Sequence, residues 1–210
     1  MVRKTQEEAA ITKERIIKAA AECFCKYGVY LSSYDMVAEK AKCTRGAIYW
    51  HFKDKNELIY QVTQSFRWPL ITELKELVPE NEHILNALIL IFKRCIKDLS
   101  TEGNVRHHLK LIIYRCDEAE TYKPLQHNLS KFMNDFELLI NNAICLALQN
   151  GEIRSEGRSA VITNIILYSF YGAVRQFFIL GHSLKPLMEF IDILENILEE
   201  FSVKKNDISG

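Results

Sequence analysis

No stretch of this 210-residue sequence approaches 18 uninterrupted apolar residues, the length a helix needs to cross a bilayer, so no membrane partner is expected. The opening run Met1-Val2-Arg3-Lys4-Thr5-Gln6-Glu7-Glu8 has no apolar core of the signal-peptide kind. A cytoplasmic chain is the expectation. Net charge is missing too, with 27 Lys+Arg against 27 Asp+Glu. Internal repeats and low-complexity tracts are also absent, and there is almost none of the alternating pattern of half-buried strands.

Catalytic signatures are lacking as well. His83, His107, His108, His127 and His182 form no ligand pair at i and i+4, and adjacent His107 and His108 would point about 100° apart on a helix. There is no nucleophile elbow, no phosphate-binding glycine loop and no recognisable carboxylate pair. An enzyme is not expected, and neither is a metal or other cofactor. Six cysteines, Cys23, Cys25, Cys43, Cys95, Cys116 and Cys145, lie scattered in apolar, helical contexts. That usage fits reduced structural thiols better than a disulfide framework. Cys23 and Cys25 would diverge by roughly 200° on a helix and could not share a metal ion.

What is present is helical periodicity over nearly the whole length. Nearly half of the residues are apolar, ample for a core. The zero charge hides an asymmetry: residues 1 to 60 hold 11 Lys+Arg against 8 Asp+Glu, and the remainder holds 16 against 19. A basic head on an acidic body suits a protein that meets phosphate at one end. From Thr12 onward Ile16, Ala20, Phe24 and Tyr27 recur at helix spacing, and Gly28 stands where a left-handed cap ends a helix. Ser32 and Ser33 offer caps for a short second helix with Val37, Ala38 and Ala41 inward. Thr44 opens a third helix, and Asp54 with Glu57 makes a capping-box pattern that opens a fourth. The fourth runs to about Leu77, and Pro69 either kinks it or ends and restarts it. Further helices are expected at about 81–100, 103–115, 122–149, 157–181 and 186–203, followed by a flexible tail over 204–210.

The density of chemistry between Thr44 and Lys55 marks a nucleic-acid reader. Two helices joined by the short turn at Lys42-Cys43 have the spacing of a helix-turn-helix over about residues 33–52, whose second helix enters the major groove. On that helix Arg45 and Tyr49 share one stripe, while Ile48 and Phe52 form a neighbouring apolar stripe for docking. Arg45 can offer two N–H groups to guanine O6 and N7; a phosphate clamp is the plainer alternative. Tyr49 can bond a phosphate or touch a thymine methyl, or simply pack. Gly46 lets the helix approach the groove closely at the expense of helix propensity. His51 and Lys55 flank the start of the fourth helix, where ring N–H, ammonium and backbone N–H groups can converge on a phosphate. Ser33 and Thr44 can donate to phosphates as well as cap, Lys42 can add another contact, and Arg3 and Lys4 can form a basic arm that reaches the backbone or minor groove, or equally a floppy tail.

These residues resemble the TetR family of dimeric bacterial transcriptional repressors. The resemblance is carried by Ile16 to Gly28, by the segment SSYDMVAEKAKCTRGAIYWHFKDKNEL from Ser32 to Leu58, and by the order of helices behind it. VRKTQEEA near the start, TRGAIYWHFKDK, and LIIYRCDE from Leu111 to Glu118 are most similar to the AcrR/TtgR group, repressors of multidrug efflux operons. The resemblance implies an all-α fold: a three-helix DNA-binding head over residues 1–55, joined by helix four to a ligand-binding and dimerisation body over 56–203. It implies a homodimer on double-stranded operator DNA, released when a hydrophobic small-molecule inducer binds. One departure stands out. The family usually has Gly-Val where this chain has Lys42-Cys43, and lysine pays for the positive φ that glycine takes freely.

By the same resemblance, Leu88, Phe92, Leu109, Ile113, Tyr168, Tyr171, Val174, Arg175 and Phe178 line an apolar ligand cavity, with Arg175 as an embedded cation. Ordinary bundle core is the alternative for each. Ile162, Ile165, Ile166, Phe170 and Phe177, then Phe190, Ile193, Leu194, Ile197 and Leu198, make the last two helices apolar over more surface than a lone bundle buries. The resemblance assigns those helices to the dimer interface. A helical ligand-binding or interaction module without sequence-specific DNA binding is the competing reading, and the intact set Arg45, Tyr49, His51 and Lys55 argues against it.

Overall fold

Helix start and stop chemistry accounts for most of the architecture. A computed structural model of the chain describes residues 6–65, 68–80, 83–111, 123–153 and 158–203. Among them the helices are α1 Gln6–Tyr27, α2 Tyr34–Lys40, α3 Arg45–His51, α4 Lys55–Gln64, α5 Pro69–Lys75, α6 Ile84–Ser100, α7 Asn104–Leu109, α8 Lys123–Gln149, α9 Ser159–Ile179 and α10 Lys185–Phe201. The all-α expectation holds, and the one extended pairing among the described residues is an isolated antiparallel bridge between Ile153 and Ser202. Contacts divide the chain into two compact units, 1–66 with 104–131, and 67–103 with 132–210. The expected arm residues Arg3 and Lys4, the pocket candidate Ile113, Cys116 and the tail 204–210 lie outside the described residues.

In the first unit α1 is already helical at Gln6, ahead of its apolar periodicity, and Glu7 and Glu8 near that end favour the helix dipole without contributing to the core. Its inward face, Ile16, Ala20 and Phe24, packs with Val37, Ala38 and Ala41 of α2, Ile48 of α3, Phe52, and Leu58, Ile59 and Val62 of α4. Each large apolar side chain so buried contributes roughly 1.5–3 kcal/mol before entropy is counted. Tyr27, expected on that stripe, is 39% exposed instead. Gly28 ends α1 with φ +84° and donates its N–H to the Phe24 carbonyl at 2.9 Å. Of the two serine caps, Ser33 accepts from the Met36 N–H at 3.2 Å, while buried Ser32 donates to the Gly28 carbonyl at 2.7 Å and fixes the turn.

The departure at Lys42 has a visible consequence. Lys42 takes φ +52°, its N–H donates to the Glu39 carbonyl (3.1 Å), and the Cys43 N–H donates to the Ala38 carbonyl (3.0 Å). This is the paired hydrogen-bond pattern with which glycine commonly ends helices. A non-glycine residue in that region costs roughly 1 kcal/mol. Lys42→Gly is therefore expected to stabilise the fold by about that amount, read as a higher midpoint of urea unfolding with the slope unchanged. A lower midpoint would show that the lysine stem packs usefully on its surroundings.

In the second unit the chain resolves the choice posed by Pro69. Helix α4 has ended at Gln64, Trp68 is extended (φ −89°, ψ 117°) as residues before proline prefer, and α5 restarts with Pro69 in its first turn. The core of this unit is aromatic. Trp68 stacks on Phe132 and Phe170 with centroids 5.5 and 5.8 Å apart, and Phe170 also meets Phe92 at 5.2 Å, Phe190 at 5.3 Å and Phe136 at 5.8 Å. Helix α6 starts after His83, itself at φ +65°, and the Glu152 carboxylate accepts the otherwise orphaned N–H groups of Ile84 (2.7 Å) and Leu85 (3.1 Å). The Glu152 carbonyl accepts from Val203, which ties the end of α10 to the same point.

Helix α9 is apolar nearly all round, and the structure sorts its faces. Ile162, Ile166, Phe170, Val174 and Phe177 face the unit's own core, as do Phe190, Leu194 and Leu198 of α10. Of the ten residues expected to leave an unpartnered face, Ile162, Ile166, Phe170, Phe177, Phe190, Leu194 and Leu198 are therefore buried within the chain. Ile165 and Ile197 are half-buried, and Ile193 is exposed. Besides Ile193, apolar residues left outward include Val161, Tyr168, Ile179 and Leu180 on and after α9, with Met188 on α10.

Candidate nucleic-acid interface

Helix α3 is set by its two ends and one buried side chain. Thr44 caps it by accepting from the Ala47 N–H at 3.2 Å. Ile48 is fully buried, and Phe52, just past the last turn, is 1% exposed, so the apolar stripe docks the helix as its spacing required. At the start of α4 the Asp54 carboxylate accepts from the Glu57 N–H (2.9 Å), and the Glu57 carboxylate accepts from the Lys53 N–H (2.6 Å). The capping box forms with its return bond one residue earlier than the usual pattern.

Docking α3 in this way leaves Arg45, Gly46, Tyr49 and Trp50 exposed. The Arg45 Nη2 group donates to the Tyr49 hydroxyl oxygen at 3.1 Å, Nη1 reaches the Asp35 carboxylate at 3.4 Å, and the guanidinium carbon lies 5.6 Å from the Tyr49 ring centroid. The bond to Tyr49 and then the charge of Asp35 push the guanidinium pKa further up. Tyr49 in turn meets Tyr34 edge to face at 5.0 Å. Burial, followed by the neighbouring Tyr49, pushes the Tyr34 hydroxyl pKa up, so it stays a neutral phenol. Since Arg45 donates to the Tyr49 oxygen, the Tyr49 proton remains available to an outside acceptor such as a phosphate.

The remaining expected contacts divide. Ser33, Lys42 and Thr44 are exposed beside α3, whereas His51 and Lys55 are half-buried. The Lys55 ammonium donates to the Tyr30 carbonyl at 3.3 Å, and His51 holds an edge-to-face contact with Trp50 at 4.5 Å. Beside the turn a shallow groove is lined by Arg15, Lys18, Lys40 and Lys42, within which Lys40 is ion-paired to Glu22 at 2.6 Å. Gly46 is open outward: a Cβ there would meet Thr44 Oγ1 at 3.8 Å, an ordinary contact. The protein itself gains nothing from glycine at that point, so Gly46→Ala should raise helix stability by about 1 kcal/mol. Binding to duplex DNA should weaken at the same time if the face lies against a groove. Tighter folding with unchanged DNA affinity would place Gly46 away from it.

One residue escaped the sequence reading. Trp50 is 73% exposed, about 200° around the helix from Ile48, and a large indole on the polar side of so short a helix was the available signal.

The expected ligand residues differ in burial. Leu88, Phe92, Val174 and Phe178 are buried in the second unit, Leu109 is buried in the first, and Tyr171 is half-buried with its hydroxyl oxygen enclosed and unpaired. Burial pushes the Tyr171 hydroxyl pKa up. Tyr168 is 68% exposed, and Arg175 is exposed, not embedded. On an almost wholly apolar helix the period does not say which side turns inward, and these two sit on the outward side. An open cleft of about 330 Å³ in the first unit is lined among others by Glu14, Lys18, Glu22, Ser65 and His107, with none of the expected ligand residues named in its lining. Among the described residues no cluster of three metal-binding side chains occurs, and no helix is long and apolar enough to cross a membrane.

Residues 16–62 match the model of the bacterial regulatory proteins, tetR family. The chain is similar to the transcriptional regulator AcrR of Shigella flexneri, 33% identical over 61% of this chain and 62% of that one. It is 27% identical to the regulator TtgR of Pseudomonas putida over 89% of this chain and 90% of that one. Among solved structures, a complex of SmeT with triclosan superposes with a TM-score of 0.81 at 20% identity, covering 92% of this chain and 93% of that one.

Proposed function

We propose that this chain, whose residues 16–62 match the tetR family of bacterial regulatory proteins, is a ligand-responsive repressor that binds operator DNA through α3 and lets go when a hydrophobic small molecule binds. The DNA-binding part is assigned to residues 1–55 and the ligand and dimer functions to 56–203. The observation that carries the reading is the capped, docked α3 with Arg45 and Tyr49 presented together on its exposed side. Arg45 reads a base edge; Tyr49, Ser33, Thr44, His51, Lys42 and Lys55 position the duplex. The efflux assignment is supported by a structural neighbour. SmeT is described as the repressor of the Stenotrophomonas maltophilia multidrug efflux pump SmeDEF, and it is bound to triclosan in its complex. Release requires that the inducer favour the form that does not bind DNA, with a coupling typically of about 5- to 150-fold. The work is done in the cytoplasm, and the relatives being regulators, no catalysis is assigned.

A second copy of the chain is the natural partner for the outward side of α9. Val161, Ile165, Tyr168, Gly172, Arg175 and Ile179 follow one another at alternating steps of four and three, the seam spacing of packed helices. A Cβ on Gly172 would meet nothing within 4 Å, so the seam is open there. Tyr168 and Arg175 are thereby reassigned from a cavity to this seam.

The test is fluorescence anisotropy with the duplex immediately upstream of the gene and a scrambled duplex, across salt concentrations, then with triclosan as the probe compound. Preferential, salt-dependent binding that triclosan weakens supports the full reading. Equal weak binding to both duplexes would favour the interaction module instead.

A further inference from the structure

We propose that Asp35 is a specificity-determining residue: it orients Arg45 toward its base while repelling phosphate, so that it lowers affinity for DNA in general and sharpens the choice among sequences. The inference rests on α3 being the DNA-reading helix.

Asp35 lies in the first turn of α2, not on the recognition helix, and its side chain is 72% exposed. Exposed acids on a phosphate-binding surface oppose binding, so its place here calls for a compensating role. The geometry supplies one. Nη1 of Arg45 reaches Asp35 at 3.4 Å while Nη2 donates to Tyr49 at 3.1 Å, and the Tyr49 ring is itself braced by Tyr34. An unrestrained arginine must lose considerable rotamer freedom before it can make a bidentate contact. Here two groups on different helices hold the plane from both sides, and three of its five N–H groups stay available. A single exposed ion pair is weak, so the hold directs the side chain without locking it away from DNA.

The chemistry yields opposite signs for two measurements. Removing the carboxylate removes repulsion, which raises affinity for arbitrary duplex. It also frees the guanidinium to rotate toward phosphates, which erodes base choice at one position. A carboxylate that served only the α2 dipole would move neither base choice nor its position in the site.

The experiment is selection from a randomised duplex library with the wild-type protein, Arg45→Ala, Asp35→Ala and Asp35→Asn, with anisotropy on one random-sequence duplex pool. Thermal melts confirm folding. The expected result is a wild-type motif in which Arg45→Ala abolishes preference at one base position and both Asp35 variants reduce it there by roughly tenfold, out of the roughly 5- to 150-fold that a bidentate contact carries. Affinity for the random pool should rise in both Asp35 variants. Unchanged preference at the Arg45 position overturns the inference while leaving the DNA-reading function intact. Relaxation at a different position also overturns it, because Asp35 would then be reading its own base, as a carboxylate can with the cytosine amino group. A wild-type protein that selects no motif overturns the reading function, and the inference falls with it.

Discussion

Arg45→Ala is expected to leave the protein folded and to cut its discrimination between operator and scrambled duplex by about 5- to 150-fold. The side chain takes no part in the core. It is exposed, and its partners Asp35 and Tyr49 are themselves exposed. What truncation removes is the pair of N–H donors that can address one guanine edge, and no neighbouring cation stands in the same place on α3. Lys55→Ala is the informative contrast. That ammonium donates to the Tyr30 carbonyl at the start of α4, and the proposed function has it address phosphates and not bases, so its loss should weaken all duplexes alike and flatten the salt dependence by about one charge. An Arg45 variant that loses affinity uniformly would be a phosphate clamp, and the base-reading role would have to pass to Tyr49 or Trp50.

Phe170→Ala should destabilise the second unit by about 3–5 kcal/mol, a large fraction of the roughly 5–15 kcal/mol by which proteins are typically stable. Phe170 is completely buried and touches Trp68, Phe92, Phe136, Tyr171 and Phe190 with ring centroids between 5.2 and 6.3 Å. Truncation leaves a cavity bounded by rigid rings, which cannot collapse as aliphatic neighbours do, so the cost belongs at the upper end of the range. Phe170→Leu refills most of the volume and should recover much of the loss. Denaturant unfolding followed by circular dichroism reads both. A loss below about 1 kcal/mol would show that the rings repack freely, which the close, mixed stacked and edge-to-face geometry argues against.

Features decided within a few residues were legible in the sequence. Ser33, Thr44 and Asp54 cap helices because a side-chain oxygen and an N–H two or three residues on are enough. Gly28 and Pro69 ended or restarted helices through backbone freedom and its loss, and the docking of Ile48 and Phe52 followed from their spacing. What was not legible depended on partners distant in sequence. Nothing local says that Glu152 caps α6 some 68 residues away, or that Asp35 meets Arg45 from another helix. Helix α9 failed for a different reason: with nearly every position apolar, Tyr168 and Arg175 carried no periodic sign of facing out. Trp50 carried a weaker sign, because an indole on a polar face offers no hydrogen-bonding pattern and declares itself only by contrast.

The two tryptophans of this chain stand in opposite surroundings, one in each compact unit. Trp50 lies in water beside Tyr49 and His51, while Trp68 is 2% exposed between Phe132 and Phe170. The native emission spectrum is therefore a sum of a red-shifted and a blue-shifted component, separable with a soluble quencher that reaches only the first. Titration with a duplex should dim the red component, and a hydrophobic compound lodging among the rings should perturb the blue one. The protein thus carries its own two-colour record of which unit is occupied, without a label attached to either.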